Sequence, residues 1–589
     1  MNPIRIVNTM RLIAGLVFLS LSFFAYGKQL TPNEALIRAI DVCPDLKTRA
    51  FITSTEPDLT VVSPHNDSFN SLFVFNIENG FMIVSADDSS VPLLGYSNTN
   101  NFDVDNIPPQ LQWWLKGYAA QIQENYDRNI SYSKITTRDF QNKIDPLITT
   151  KWDQDSPYWN KCPVIRNKNT YTGCGATAVA QVMNYHKWPV KPIGDKISYR
   201  DYNQLIEWDP SEVTFQWDKM LDVYKRNEYS EEEAEAVADL MFGVGAAINT
   251  YYDISGSGAY EAIYSPALFK YFDYSSDIKL VERDYYSKED WENIILDQLN
   301  KKQPVVYTGY DRSIYYGHVF VCDGYDGEGY FHINWGWSGD SNGYYLLDAL
   351  YPGQGGIGSG KEDYNYYQHA LIDILPSYAS SEFNPIILGN GNFKAEGIAK
   401  KSDKISIKLG DNVRFFTAGN YEEGVRNNGA IPLEGFLGIR LINISTGEET
   451  ELYCSSSVLL NVTYDDYMSP VRKNASITIP ETLDDGTYDI YPVFKINDSN
   501  EAVDILYPLS ANKVLNMTVE DNVGVIGYGS SADNAGVSVL GDNSDTSFDI
   551  YDMRGIRILS NVDSKTTLEL LPSGYYIIRN HKSVYKIKI

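Results

Sequence analysis

Apolar residues fall at helical spacing in some stretches of the chain and alternate with polar ones in others, and these switches mark out its elements. Thr31 to Ile40 has the helical pattern, with Thr31 as N-cap ahead of Pro32. Leu72–Ile77 and Gly80–Ser85 read as strands, and Glu78-Asn79-Gly80 between them predicts a hairpin. Pro108 to Tyr126 returns to helical spacing, after which the polar stretch Asp127 to Asp145 has no pattern and reads as an exposed connector of the kind proteases cut. Small and apolar residues from Cys174 to His186 predict a buried helix stopped by Trp188-Pro189, and Glu231–Ala247 predicts another. Pro304 to Leu375 is strand-like and rich in Gly and Tyr, an α+β pattern. Beyond about residue 380 helical spacing nearly vanishes and short alternating strands with Gly, Asn and Asp turns take over. No repeat of fixed period is present, which excludes a solenoid.

Composition narrows the classes. The 49 Lys+Arg against 77 Asp+Glu leave a net charge of −28, which excludes a general nucleic-acid coat or a binder of anionic membranes. With 43% apolar and 13% aromatic residues, wholesale disorder is excluded as well. Five cysteines, odd in number and widely spaced, do not make a disulfide framework, so at least one thiol is free. No Cys or His grouping has metal-ligand spacing, and the run Gly353 to Gly360 lacks the Lys-Ser/Thr of a phosphate loop. It reads as a flap instead. No cofactor is implied.

At the N-terminus Arg5 and Arg11 precede the apolar run Leu12–Phe24, followed by Ala25 and Gly27. This predicts a signal peptide, residues 1–27, and therefore export. The run is too short for a spanning helix of about 20 residues, and no later segment is long and apolar enough.

The chemistry concentrates around Thr172-Gly173-Cys174-Gly175-Ala176, which puts Cys174 at the start of a buried helix. There the unpaired N–H groups and the helix dipole favour a thiolate. Gly317-His318-Val319-Phe320-Val321-Cys322-Asp323-Gly324-Tyr325 follows in strand-like sequence, then Phe331-His332-Ile333-Asn334-Trp335-Gly336-Trp337. A helix-start cysteine followed about 130–150 residues later by a histidine and an asparagine is the order thiol proteases use. His318 would take the thiol proton, Asn334 would accept a hydrogen bond from the other ring nitrogen, and Trp335 would cover that bond. The developing oxyanion needs two donors, for which the Cys174 backbone N–H and the Gln154 amide in Lys151-Trp152-Asp153-Gln154 are available. His186 lies three turns beyond Cys174, about 18 Å at 1.5 Å per residue, too far to be its base. His332 and Cys322 are expected to pack in the core.

Together, W-x-Q at Trp152–Gln154, G-C-G-A-T-A-x-A-Q-x-M at Gly173–Met183, G-H-x-F-x-x-D-G-Y at Gly317–Tyr325 and F-H-x-N-W-G-W-x-G at Phe331–Gly339 resemble the streptopain family of secreted bacterial cysteine proteases, including interpain-type enzymes. The resemblance spans roughly 28 to 375. It implies an inhibitory α+β propeptide over 28–142 and a papain-like catalytic domain over 143–375, with Cys174 as nucleophile, His318 as base, Gln154 as oxyanion donor and Asn334 as orienter. It also implies a substrate cleft near Ser255, Ser257, Gly317 and Trp335, and a preference for an apolar residue two positions before the scissile bond. The rest is expected to be all-β: an Ig-like sandwich over 376–520, then a unit over 521–589 that resembles the C-terminal sorting domains of secreted Bacteroidetes proteins.

The expected function is thus a secreted or surface-located cysteine endopeptidase made as a zymogen. Its partners would be protein or peptide substrates and its own propeptide, with no nucleic acid and no membrane span. Two other classes fit parts of the sequence: a transglutaminase-like acyl transferase with the same Cys–His pair, and an inert surface adhesin.

Overall fold

In the computed structural model the described residues are 28–42, 60–61, 71–127 except 78, 142–310 except 202–203, 317–347, 368–379 and, with gaps, 383–588. The expected signal peptide, the connector around 128–141, the flap at 353–360 and Cys43 lie outside them.

The chain forms two compact units, whose division falls at residues 140 and 141. In the first, α1 (Pro32–Val42) starts at a reciprocal cap: Glu34 N–H donates to Thr31 Oγ1 (3.4 Å) and Thr31 N–H to Glu34 Oε2 (2.8 Å). The hairpin strands are β1 (Leu72–Ile77) and β2 (Gly80–Ser85), with β3 (Leu93–Ser97) beside β2. Every residue of β2 and β3 is buried. The helix α2 (Pro109–Asp127) buries Leu111, Trp114, Leu115, Tyr118 and Ile122, the spacing of one helical face.

In the second unit, after the short hairpin of Val164–Ile165 and Lys168–Asn169, comes α3 (Cys174–His186), in which every residue from Gly175 to Asn184 is buried. A hairpin of β4 (Ile197–Asp201) and β5 (Gln204–Trp208) precedes α4 (Glu231–Ala247), which a full capping box of Ser230 and Glu233 starts. Next come α5 (Tyr264–Phe272), β6 (Lys279–Glu282), α6 (Lys288–Asn300), β7 (Val305–Tyr310), β8 (Gly317–Tyr325), β9 (Phe331–Asn334), β10 (Gly343–Tyr345) and β11 (Gln368–Ile372). These strands pair antiparallel in the order β10-β9-β8-β7-β11-β6. One core joins Val179, Val182 and Met183 of α3 to Val237, Leu240 and Val244 of α4 and to Val319 and Val321 of β8.

Past residue 386 the elements are strands: β12 (Ile387–Gly389), β13 (Val425–Asn427), β14 (Leu433–Asn443), β15 (Gly486–Ile496), β16 (Val503–Leu506), β17 (Leu515–Glu520) and β18 (Val523–Tyr528). Leu437, Ile439 and Leu441 alternate inward on β14 and meet Ile490 and Phe494 of β15 in a separate core. The last sheet, between 548 and 588, has Phe548–Tyr551 and Tyr575–Arg579 at its centre.

Candidate active site

Cys174 is the first residue of α3, and Gly173 precedes it with φ 90° and ψ 142°. The left-handed φ is one that side-chain-bearing residues rarely adopt, and a Cβ on Gly173 would also stand 3.1 Å from the Ser257 carbonyl oxygen. Gly175 is required for a different reason: a Cβ there would lie 2.0 Å from the Tyr264 hydroxyl, which α5 drives into the helix start. Cys174 is half-buried. Burial pushes its thiol up, while the backbone N–H groups of Val319, Gly175 and Cys174 itself pull it back by aiming at the sulfur.

The Val319 contact sets the sulfur against β8 beside the half-buried His318. α3 packs on the β8 face that carries Val319 and Val321, and the helix start thereby meets the strand end. No titration shift separates this thiol from other cysteines by itself. Its surroundings do, because Cys162 and Cys322 are buried, with burial pushing Cys162 up to about 12 and Cys322 well up.

Gln154 is buried, and no hydrogen bond among the described residues engages its side-chain amide. Its backbone is held on both sides: its carbonyl accepts from Thr172 N–H (3.1 Å), two residues before Cys174, and its N–H donates to Asp153 Oδ1 (2.7 Å). Ser338 Oγ donates to Asp153 Oδ2 (2.6 Å), which ties this loop to the turn after β9. Asp155 follows, and burial together with the Asp153 charge pushes its carboxyl up to about 6.

The structure brings Ser257 to the wall beside Gly173, where its hydroxyl accepts from Asp253 N–H (3.0 Å). Asp253 caps the same turn, its Oδ1 accepting from the N–H of the exposed Ser255 (2.8 Å). Gly317 opens β8 next to His318.

Asn334 is held at both ends of its amide: Nδ2 donates to the Thr150 carbonyl (2.8 Å) and to Gln181 Oε1 (3.1 Å), and Oδ1 accepts from Gly336 N–H (3.1 Å). These bonds fix the end of β9, opposite Val321, against the start of the domain and against α3. One expectation is corrected. Trp335 does not line a cleft, since it is 0% exposed, packed between Phe320 (tilted, centroids 4.8 Å apart) and Tyr345 (edge-on, 5.1 Å), with its indole N–H on the Ser341 carbonyl. It shares with Phe320 the face on which His318 also falls. His332, expected to be a packing residue, is paired to the fully buried Asp323 at 2.6 Å.

Gln181 was missed by the sequence reading. It sits inside α3 at 0% exposure and accepts from Thr150 Oγ1 (2.9 Å), Asn334 Nδ2 and Trp152 N–H (3.4 Å), joining three segments distant in sequence. Its one local signal is the polar set Thr177, Gln181 and Asn184 at helical spacing within a buried helix.

A helix-start thiol set against a strand beside a histidine is the arrangement of a thiol hydrolase. Residues 152–345 match the Peptidase C10 family and residues 28–122 the Spi protease inhibitor family. The chain belongs to the Peptidase C10 family and is an enzyme of the cysteine peptidase class. It is 33% identical over 330 residues to streptopain of Streptococcus pyogenes, covering 52% of this chain and 82% of that protein. It is 34% identical over 334 residues to the thiol protease/hemagglutinin PrtT of Porphyromonas gingivalis, covering 54% of this chain but only 38% of that one. Among solved structures, a prointerpain A fragment of Prevotella intermedia is 33% identical, with 54% of this chain and 98% of that one covered at a TM-score of 0.47. Among the described residues no helix is long and apolar enough to cross a membrane, and no cluster could hold a metal ion.

Proposed function

We propose that the chain is the zymogen of an exported cysteine endopeptidase that works through Cys174 and His318. His318 takes the thiol proton, and the sulfur attacks the scissile carbonyl carbon. The resulting oxyanion is held by the Cys174 backbone N–H and the Gln154 amide. As the C–N bond breaks, His318 returns the proton to the leaving amine, and a thioester remains. Water, deprotonated by the same imidazole, then attacks the thioester and releases the acid and the thiol.

The observation that carries this reading is the Val319 N–H aimed at Cys174 Sγ, one residue from His318. An imidazolium there would offset the burial that raises the thiol, so the pair would ionise together. The buried and unengaged amide of Gln154 supports its oxyanion role. Asn334, anchored by Thr150, Gln181 and Gly336, is read as the orienter of the His318 ring, and Ser255, Ser257 and Gly317 as the cleft wall that takes an apolar side chain two positions before the scissile bond.

Residues 28–142 are read as the inhibitory propeptide, removed by cutting in the connector, and residues 1–27 as the signal for export. The segment from 376 is read as a β domain and that from 521 as a sorting unit. An epoxide thiol reagent should label the processed protein at Cys174 and abolish casein hydrolysis, and Cys174→Ala should lose both. Labelling with no loss of hydrolysis would sink the assignment. Transfer of the acyl group to an added amine in preference to water would favour a transferase.

A further inference from the structure

β6 is the outermost catalytic strand in the sheet order given above, and its open edge is covered by residues 425–429 of the β-rich region. Leu280 N–H donates to the Asn428 carbonyl (2.9 Å), and Asn428 Nδ2 donates to the Leu280 carbonyl (3.3 Å) and to Glu282 Oε1 (2.8 Å). Ser265 Oγ reaches the Gly429 carbonyl (3.2 Å) and Lys279 Nζ the Asn384 carbonyl (2.8 Å). At the centre of this seam Arg426 Nη2 lies 2.5 Å from Glu282 Oε2 and 3.3 Å from the Tyr285 hydroxyl.

From Glu282 the charges continue inward with alternating sign. His369 on β11 lies opposite Glu282 in the register, and its Nδ1 is 2.7 Å from Glu261 Oε1. Glu261 is buried and opens the short helical turn 261–263, directly after the loop that carries Ser255 and Ser257. That loop lies against Gly173, next to Cys174. Asp284 belongs to the same cluster, with Oδ1 buried and without a hydrogen-bond partner. Removing one member of a buried charged set leaves its neighbour uncompensated, which costs more than the pair contributes.

We propose that Arg426 is a positioning residue for the substrate loop, acting through Glu282, His369 and Glu261, so that the β domain is a working part of the protease rather than a module it sheds. This rests on the reading of Ser255 and Ser257 as cleft wall. Peptide hydrolysis is measured on processed full-length chain, with active sites counted by the epoxide, using fluorogenic peptides with an apolar or a polar residue two positions before the scissile bond. Arg426→Met should raise KM about fivefold or more and narrow the preference between the two peptides, with kcat per counted site within about twofold. Arg426→Lys should restore most of the loss. If Arg426→Met fails to fold, the Glu282→Gln/Arg426→Met chain, in which no Glu282 carboxylate is left without its arginine, should fold and still show the raised KM. Unchanged KM per site in either variant, even with a lowered melting temperature, overturns the coupling. Wild-type chain that takes up no epoxide would instead sink the protease reading itself.

Discussion

Asp155 is exposed at the surface, yet its surroundings desolvate the carboxyl in part and set the Asp153 charge against it. Its carboxyl is pushed up to about 6 by burial and by the Asp153 charge, above the ordinary value of about 3.9. Below that ordinary value both the folded and the unfolded chain hold the proton. Between there and about 6 the folded chain keeps a proton that the unfolded chain has lost, so stability falls as pH rises. Solvent screening keeps the effect of this exposed group small, so Asp155→Asn should raise the melting temperature slightly at pH 7 and leave it unchanged at pH 3.5; a pH-independent difference would refute the account. At Gly175, adding one methyl should displace Tyr264 or the helix start, because 2.0 Å is far inside contact distance. Gly175→Ala is expected to lose at least tenfold in kcat/KM, with partial recovery in Gly175→Ala/Tyr264→Phe, measured on counted active sites.

At the scale of elements, the signals read from sequence were local. Thr31 announced one helix start and the alternation in 72–85 announced a hairpin, because each partner lies within a few residues of the other; the Ser230–Glu233 box, equally local, came to light in the fold. Ser230→Ala should cost about 1 kcal/mol in chemical denaturation, the usual worth of an N-cap. Gln181 has no such local partner. Replacing it by Leu, of similar size, strands Thr150 and one Asn334 donor, at roughly 1–3 kcal/mol for each group left unpaired in the interior. Gln181→Leu should thus destabilise far more than Ser230→Ala; equal losses would mean that water or a shifted neighbour takes over its bonds.

At the scale of the whole molecule, maturation and architecture come together. If cutting is autocatalytic, Cys174→Ala should accumulate as the uncut chain, and a normally processed mutant would show that another protease cuts it. After cutting in the connector, the new N-terminal segment should stay docked. Ile144 pairs with Tyr325 at the end of β8, and the Leu147 and Ile148 N–H groups donate to the carbonyl and carboxylate of Asp323 (2.9 and 2.8 Å). Asp323→Ala should release that segment to exchange and strip His332 of its partner, visible as faster amide exchange over 144–148.

By itself the sequence determined the elements and the candidate thiol: helix periodicity, caps, turn residues and the glycines around Cys174 are short-range matters that neighbouring residues settle. The order of motifs also brought His318 forward as the partner of that thiol. Tertiary structure decided which faces meet. Asn334 follows the motif order, but only the fold gives it Thr150, Gln181 and Gly336 as partners, through the pairing that sets it opposite Val321. Trp335 is sealed between Phe320 and Tyr345 for the same kind of reason. The salt bridge of Arg426 to Glu282 could not be read along the chain at all, since only packing the β-rich region against the edge of the catalytic sheet brings those charges within reach. Strand register and the burial of charge are properties of the assembled fold, and a linear text carries neither.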